Sequence, residues 1–465
     1  MADETDGQTG PADGDTTRAS VSTTGELVFP SDFVWGSATS AFQIEGAPLA
    51  DGKSPSIWDV FCRQEGTIAD GSNGDIACDH VNRYEDDVAL IRDLGLGAYR
   101  FSVSWPRVVP GGSGSVNHAG LDFYDRLVDA LLAAGIRPFP TLYHWDLPQV
   151  LQDGGGWVAR STAEAFADYA EAVVTRLGDR IDTWTTLNEP FVTANHGYVT
   201  GEHAPGHTSM DEGMAASHHL NLAHGLAGAR IRSLAPSARL AIVLNFTPIE
   251  PATDSTEDRE AAHHQHNLEN RWYSDPIGGL GYPDDTADHH GWSRAEVRDG
   301  DLGLISAPID LLGVNFYTRS FVSADDSFEL PAGTPVNTMG WEIHPPSLGT
   351  LLRDLDDRYP FPRYLITENG APMPDQTRVD GRIEDDDRLA YIRDHLAEVH
   401  GALRDGVPIE GYLVWSLFDN FEWAWGYGPR FGIVEVDYET QRRTPKKSAE
   451  WFSQVAASGR FALAD

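Results

Sequence analysis

Short apolar runs alternate with helix-like segments along this chain of 465 residues, and this alternation limits the fold more than any other feature. Eight runs rich in β-branched and aromatic residues occur at positions 33–38, 98–104, 136–143, 183–188, 239–246, 310–317, 363–369 and 411–418. Several are apolar at consecutive positions, as strands buried on both faces of a sheet are. The runs therefore predict a parallel sheet whose strands are connected by helices.

The intervening segments show the three- and four-residue spacing of amphipathic helices. The clearest apolar stripe consists of Leu121, Tyr124, Leu127, Val128, Leu131 and Leu132. Similar stripes lie within 165–177 and 389–403. Eight strands are the number that closes a barrel, so the sequence predicts an α/β fold, a single (β/α)8 TIM barrel with elaborated βα loops. A doubly wound open sheet is the alternative, because periodicity does not show closure.

The first 25 residues are acidic and poor in apolar side chains. We expect residues 1–25 to form a disordered acidic tail and residues 26–465 to form one folded domain. No apolar run reaches the ~18 residues of a membrane helix, and no secretory signal pattern is present. These features lead us to expect a cytoplasmic protein.

Acidic residues greatly outnumber basic ones, with 71 Asp and Glu against 34 Lys and Arg and a formal net charge of −37. Such a surface repels phosphate backbones and anionic lipids, so neither nucleic acid nor a membrane is an expected partner. Lys occurs only at Lys53, Lys446 and Lys447. This composition favours a halophilic protein whose self-repulsion is screened by concentrated salt, over an acidic protein from an ordinary cytosol.

Reactive side chains occur at the ends of the runs, where a TIM barrel carries its catalytic residues. Glu189 follows the fourth run and Glu368 lies near the end of the seventh. Two glutamates on different strands are what glycosidic-bond cleavage needs, one protonated toward the leaving oxygen and one ionised toward the anomeric carbon. Alone, either residue is better explained as a solvated turn carboxylate. Their shared setting, in TLNEP and LITENG after apolar strands, favours the catalytic interpretation.

Seven ordered motifs extend this pattern: FVWGSATSAFQIEG, YRFSVSWPR, TLYHWDLPQ, TLNEP, GVNFYT, LITENG and WSLFDNFEWAWGYGPRFGIVEVD. Over residues 27–455 the chain resembles the family 1 glycoside hydrolases, retaining β-glucosidases and β-galactosidases on a (β/α)8 barrel. The resemblance implies an exo-acting enzyme that hydrolyses terminal β-D-glucosyl residues, and also β-D-galactosyl or fucosyl residues, through a covalent glycosyl-enzyme. The implied partners are small β-glycosides or oligosaccharides, and no cofactor or metal is implied.

The same resemblance assigns roles to individual residues. It implies that Glu189 is the general acid/base, that Glu368 is the nucleophile, and that Tyr317 and Arg100 contact the nucleophilic carboxylate. The positions that match sugar-binding residues are Gln43, His144, Asn188, Asn315, Trp415, Glu422 and Trp423. We expect Arg100 and Tyr317 to keep Glu368 ionised at neutral pH.

Several alternatives remain at this point. Family members that act on 6-phosphorylated sugars carry Ser, Lys and Tyr where this chain has Glu422, Pro429 and Phe431, so a plain glycoside is favoured. A catalytically silent sugar-binding barrel would lack one catalytic Glu, whereas both are present. A mainly transglycosylating enzyme stays open, as do the choice among glucose, galactose and fucose, the aglycone, and homo-oligomer formation. Trp341 is either an aglycone platform or an ordinary packed indole.

Histidines also cluster in the sequence, without an HExxH or CxxC motif beside them. The cluster comprises His218, His219, His263, His264, His266, His289 and His290. We interpret these residues as solvated loop histidines in preference to ligands of a metal ion.

Overall fold

The computed structural model describes residues 18–293, 296–325 and 327–463. Eight parallel strands close into a barrel in chain order, so the predicted TIM barrel is confirmed and the open-sheet alternative is wrong. The strands are β1 Val34–Ala38, β2 Ala98–Ser102, β3 Arg137–Tyr143, β4 Thr183–Asn188, β5 Arg239–Asn245, β6 Leu311–Asn315, β7 Tyr364–Asn369 and β8 Ile409–Trp415. Pairing of β8 with β1, for example Tyr412 with Trp35, completes the closure.

A main helix follows each strand, and most of these helices bury one apolar face. These helices are α1 His80–Asp93, α2 His118–Ala133, α3 Arg160–Leu177, α4 Met210–Leu234, α5 Thr256–His266, α6 Pro346–Arg358, α7 Asp386–Asp405 and α8 Lys447–Ser458. In the predicted stripe of α2, five side chains are buried and Leu132 is 41% exposed. The three- and four-residue spacing therefore identified the buried face correctly, except for Leu132, which lies at its edge.

Shorter elements lie mainly in the loops. The short helices are Ala41–Ile44, Ile57–Phe61, Trp105–Val108, Gln149–Asp153, Pro190–Ala194, Trp272–Ile277, Asp284–His289 and Asp301–Ile305. The short strand pairs are Ile249–Pro251 with Ser320–Val322, Arg378–Val379 with Arg382–Ile383, and Val434–Asp437 with Arg442–Pro445. Within the described ranges, no helix is long and apolar enough to cross a membrane.

The two ends of the described chain meet in a small antiparallel sheet. Ser20–Val21 pairs with Leu27–Val28, which also pairs with Arg460–Phe461. The prediction of disorder up to residue 25 did not anticipate this strand, in which pairing satisfies backbone groups of Ser20 and Val21 despite the low apolar content of the segment. Residues 1–17 of the predicted tail lie outside the described residues.

The loops differ in length between the two ends of the barrel. The segment from β1 to α1 runs from residue 39 to 79, whereas α1 ends at Asp93 and β2 begins at Ala98. The segments after β4, β6 and β8 are likewise long. The elaborated βα loops of the prediction are thus present, and they stand around the carboxyl ends of the strands, where TIM barrels place their chemistry.

Candidate active site

The two predicted glutamates are buried at the carboxyl end of the barrel. Glu189, which directly follows β4, is 5% exposed, and Glu368 within β7 is 3% exposed. The pairing register shifts just before each of them, between Thr185 and Asn188 in β4 and between Ile366 and Glu368 in β7. Such irregularities re-aim side chains at the rims of barrels. Glu189 also has a positive φ of 47°, which turns the chain sharply into the next helix.

Glu368 is held by a cation and a phenol. The Arg100 guanidinium donates to Oε1, and the Tyr317 hydroxyl donates to Oε2 at 2.5 Å. Burial raises the pKa of Glu368 above its ordinary value, while Arg100 and Tyr317 act to lower it. The two residues therefore act in the expected direction, but the expectation of a carboxyl that is simply held ionised neglected the desolvation produced by burial.

Glu189 has a different environment, because its hydrogen-bond partner is a neutral amide. Asn315 Nδ2 donates to Glu189 Oε1 at 2.7 Å. The Thr367 hydroxyl donates to Asn315 Oδ1 at 2.7 Å, which fixes the amide with its NH₂ group toward the carboxylate. Burial and the nearby charge of Glu368 raise the pKa of Glu189 to about 8. A carboxyl in this setting keeps its proton at neutral pH.

Asn188 connects the two glutamates to His144. Its Oδ1 accepts from Arg100 Nη2 at 2.5 Å and from Asn315 Nδ2 at 3.1 Å, and its Nδ2 lies 3.1 Å from His144 Nε2. Burial and the charge of Arg100 hold the pKa of His144 well below its usual range, so the ring is neutral. Its other nitrogen, Nδ1, is buried without a hydrogen-bond partner in the described part of the chain.

Gln43 and Glu422 form the opposite part of the polar network, contributed by the segments after β1 and β8. Gln43 Nε2 donates to three acceptors, Asn420 Oδ1 (2.9 Å), the Phe421 carbonyl (2.9 Å) and Glu422 Oε2 (3.3 Å). The Ser40 hydroxyl donates to Gln43 Oε1 at 2.6 Å. Burial and the charge of Glu368 raise the pKa of Glu422 to about 8. The amide and the carboxyl are thus fixed in orientation before any ligand binds.

The site opens into a cavity of about 990 Å³. Eight of the eleven predicted residues line it: His144, Glu189, Asn315, Tyr317, Glu368, Trp415, Glu422 and Trp423. The other three lie directly behind and bond lining residues: Gln43 bonds Glu422, Arg100 bonds Glu368, and Asn188 bonds Asn315. The structure therefore brings all eleven together.

Aromatic rings form one side of this cavity. The His144 ring lies nearly parallel to the indoles of Trp415 and Trp423, at 5.8 Å and 6.0 Å between centroids. Trp145 contacts Trp423 at 4.5 Å. Close approach of β7 to β8 depends on Gly370, because a Cβ at that position would overlap the Trp415 carbonyl oxygen. Apolar ring faces of this kind pack against the C–H faces of a sugar.

Sequence reasoning missed several residues of the site. Ser40, Thr367 and Asn420 orient functional side chains, and Glu269 lines the cavity. Asn245, a polar residue at the end of the fifth apolar run, lines the cavity as well, whereas no sequence pattern marks Glu269, which lies in the helical turn Asn267–Arg271. Trp341 also lines the cavity, 5.9 Å from the Tyr317 ring.

The interpretation of the histidine cluster as loop residues needs correction at most positions. His263, His264 and His266 lie on α5, and His289 ends the short helix Asp284–His289. His218 and His219 are buried on α4, where His218 bonds Tyr282 and Asp301 and His219 bonds the Trp157 carbonyl. They are helix residues packed under neighbouring elements and are not solvated loop residues. In the described ranges, no group of three His, Cys, Asp or Glu side chains is arranged to hold a metal ion.

Comparisons with known proteins agree with this geometry. The model of glycosyl hydrolase family 1 matches residues 26–461. A protein from Agrobacterium sp. named beta-glucosidase is 46% identical, with coverage of 92% of this chain and 95% of that protein. A beta-glucosidase A from Acetivibrio thermocellus is 44% identical, with 94% and 100% covered. The solved family 1 β-glucosidase from Thermotoga maritima superposes with a TM-score of 0.89 at 42% identity, covering 93% of this chain and 99% of that one. The chain belongs to glycosyl hydrolase family 1.

Proposed function

We propose that the protein is a β-glucosidase that hydrolyses terminal, non-reducing β-D-glucosyl residues with retention of configuration. The proposal rests on the different hydrogen-bond partners of the two buried glutamates. Glu368 is bound by a guanidinium and a phenol, whereas Glu189 is bound by an amide. At neutral pH the proton therefore belongs on Glu189 and the negative charge on Glu368, the division that this chemistry requires. The names of the relatives from Agrobacterium and Acetivibrio support the same activity.

In the first step, a Glu368 oxygen attacks the anomeric carbon while the bond from that carbon to the leaving oxygen breaks. Glu189 transfers its proton to the leaving oxygen, so the aglycone departs as a neutral alcohol. The products are a glycosyl ester of Glu368 and an ionised Glu189. Because Glu368 no longer carries charge, the repulsion that raised the pKa of Glu189 is removed, and Glu189 becomes a base.

In the second step, Glu189 accepts a proton from water as the water oxygen attacks the anomeric carbon. The ester bond breaks, Glu368 regains its negative charge, and Glu189 is again protonated. Two inversions give net retention. Arg100 and Tyr317 stabilise the departing carboxylate, because both hydrogen bonds strengthen as negative charge returns to it.

The remaining residues of the network hold the glucosyl unit. We assign Trp415 to the apolar face of the ring, and Gln43, His144, Asn188, Glu422 and Trp423 to its hydroxyl groups. Gln43 and Glu422 combine a donor and acceptors at one position, which suits either epimer at C4. We therefore propose side activity toward β-galactosides and β-fucosides, as in the bifunctional β-D-glucosidase/β-D-fucosidase of Bifidobacterium breve, which is 43% identical. Glu422, Pro429 and Phe431 offer a sugar phosphate neither a cation nor a hydroxyl group, which favours a plain glycoside.

We further propose that this is a cytoplasmic enzyme of a salt-rich cell. The net charge of −37 supports the second part, and Cys62 and Cys78, both buried and unpaired, support a reducing compartment. The reaction derived above uses only side chains of this polypeptide.

Incubation with 2-deoxy-2-fluoro-β-glucosyl fluoride tests the proposed mechanism, because the fluorine slows breakdown of the intermediate. We expect a stable adduct of one fluoroglucosyl unit, located on Glu368 by peptide mass spectrometry. The product first released from 4-nitrophenyl β-glucoside should be β-glucose by NMR. Initial release of α-glucose, or an adduct at another residue, would overturn the proposal.

A further inference from the structure

The part of the cavity near Glu189 is lined by polar residues from the segment that begins at the end of β5. Asn245, Thr247 and Glu269 line it there. Asn245 is the register partner of Asn315, the residue that bonds Glu189. Because β4, β5 and β6 are neighbours and Gln43 and Glu422 follow β1 and β8, this polar group lies on the proton-donor side of the barrel. That is the side from which the leaving group departs.

Glu269 is held by a hydrogen bond from Gln265 and by the attachment of its own helical turn to the segment after β5. Gln265 Nε2 donates to Glu269 Oε1 at 2.6 Å. Asn270 bonds both backbone groups of Thr247, accepting from its N–H at 3.1 Å and donating to its carbonyl at 2.7 Å. These bonds attach the helical turn Asn267–Arg271 to the chain segment that follows β5. The carboxyl of Glu269 is therefore presented to the cavity in a defined orientation.

Charge and hydrogen bonding leave acceptors unused on this side. Burial raises the pKa of Glu269, while hydrogen bonds from Gln265 and Thr247 and the nearby His196 act to lower it. These two donors leave further lone pairs on the carboxyl oxygens. Arg319, the cationic lining residue, is already bonded to Glu250 and Glu342. Asn245 Oδ1 is buried without a hydrogen-bond partner among the described residues. The acceptors on Asn245 and Glu269 therefore favour a ligand that donates hydrogen bonds and carries no negative charge.

The cavity also has an apolar lining, contributed by the segment after β6. Its members are Phe321, Phe328, Leu330, Met339 and Trp341. A pyranose ring has C–H faces that suit such a lining and equatorial hydroxyls that suit unused acceptors. A flat nitrophenyl ring satisfies only the apolar residues.

We propose that Glu269 is a specificity-determining residue that accepts a hydrogen bond from a hydroxyl of a neutral sugar leaving group. The inference rests on the proposed β-glucosidase activity and deepens it. It makes β-linked gluco-oligosaccharides, and not aryl glucosides, the substrate class to which the leaving-group site is matched. In the reverse direction, the same contact favours a sugar acceptor that attacks the glycosyl-enzyme.

The test compares Glu269→Ala and Glu269→Gln with Glu260→Gln, a control on the exposed surface of α5 that does not line the cavity. For Glu269→Ala we expect kcat/KM on cellobiose to fall about tenfold, the effect of losing one such hydrogen bond. On 4-nitrophenyl β-glucoside the change should stay within about twofold. Glu269→Gln keeps one acceptor oxygen and should lie between the wild type and Glu269→Ala, and Glu260→Gln should match the wild type.

Reactivation of the trapped fluoroglucosyl-enzyme separates leaving-group contact from general damage. In Glu269→Ala, reactivation by methyl β-glucoside should slow about tenfold, and reactivation by water should be unchanged. Equal losses on cellobiose and the nitrophenyl substrate, equal losses of both reactivation rates, or no loss on cellobiose would each overturn the inference. Failure of the wild type to hydrolyse either substrate would instead refute the proposed function.

Discussion

The cavity and the outer helical surface both contain carboxyl groups, but their pKa values shift in opposite directions in the two regions. In the cavity, burial raises the pKa of Glu189 and Glu422 to about 8. On the outer faces of α2 and α3, partial burial of Asp125 is outweighed by hydrogen bonds from Arg180 and Arg176, which lower its pKa. Asp129 and Asp179, which also bond Arg180, are 63% and 74% exposed.

The difference shows that water and cations, and not residue type, decide what a carboxylate does in this protein. An exposed acidic residue with an Arg partner is charged and contributes about 0–1 kcal/mol through its ion pair. A buried acidic residue that faces a neighbouring carboxylate holds a proton near neutral pH and can transfer it. Substitutions in the two regions should therefore differ by orders of magnitude in their effect on activity.

The largest effect is expected for Glu368→Gln, which removes the nucleophile and keeps its volume. Activity on an aryl β-glucoside should fall at least about 10⁴-fold, because no covalent intermediate can form. Asp122→Asn is the matched control, since it also removes one charge, but at an exposed pair with Arg176. Steady-state assays with both variants measure the contrast, and comparable activity in Glu368→Gln would contradict the assignment.

The next effect is that of Glu189→Ala. Activity should fall about 10²- to 10⁴-fold, most for poor leaving groups, because proton transfer to the leaving oxygen is lost. Azide should restore turnover and give a β-glucosyl azide. Activity of the wild type should decline as pH rises through about 8, where Glu189 loses its proton, and this alkaline decline should be absent from the variant. A variant that keeps the alkaline decline would show that another group titrates.

A smaller effect is expected for Tyr317→Phe, which removes one hydrogen bond from the charged form of Glu368. Loss of that bond disfavours ionisation, so the pKa of Glu368 should rise and the acid limb of the profile of kcat/KM against pH should move to higher pH. The decrease in kcat/KM should be about 10- to 100-fold. A decrease without any movement of the acid limb would indicate a purely steric role.

The smallest effects are expected on the outer surface. Asp129→Asn should change the free energy of unfolding by less than about 0.5 kcal/mol, because the pair is exposed. The acidic surface as a whole should still matter, since the net charge is −37. The melting temperature of the wild type should be higher in about 1 M salt, where the screening length is about 3 Å, than at low ionic strength. Full activity and an unchanged melting temperature at low salt would show that the protein does not depend on salt to screen its negative charge.

Sequence reasoning reached the barrel and the eleven site residues because strand burial and motif order are local properties. It could not supply the partners of those residues. Thr367 and Ser40 are short polar residues like many others, and only closure of the barrel places their hydroxyls against Asn315 and Gln43. The pKa directions depend on burial and on charges brought together from separate strands, so no single motif contains them. The strand Ser20–Val21 pairs with Leu27–Val28, and that strand in turn pairs with Arg460–Phe461 at the other end of the chain, a partner that no local pattern predicts.

The bond between Thr367 and Asn315 has a mechanical consequence. Thr367 precedes Glu368 on β7, and through Asn315 it also sets the position of the Glu189 carboxyl. The strand β7 therefore sets the positions of both proposed catalytic groups, although Glu189 itself follows β4. We therefore expect any movement of β7 to displace the two carboxyls together, so that their separation changes less than the position of either one.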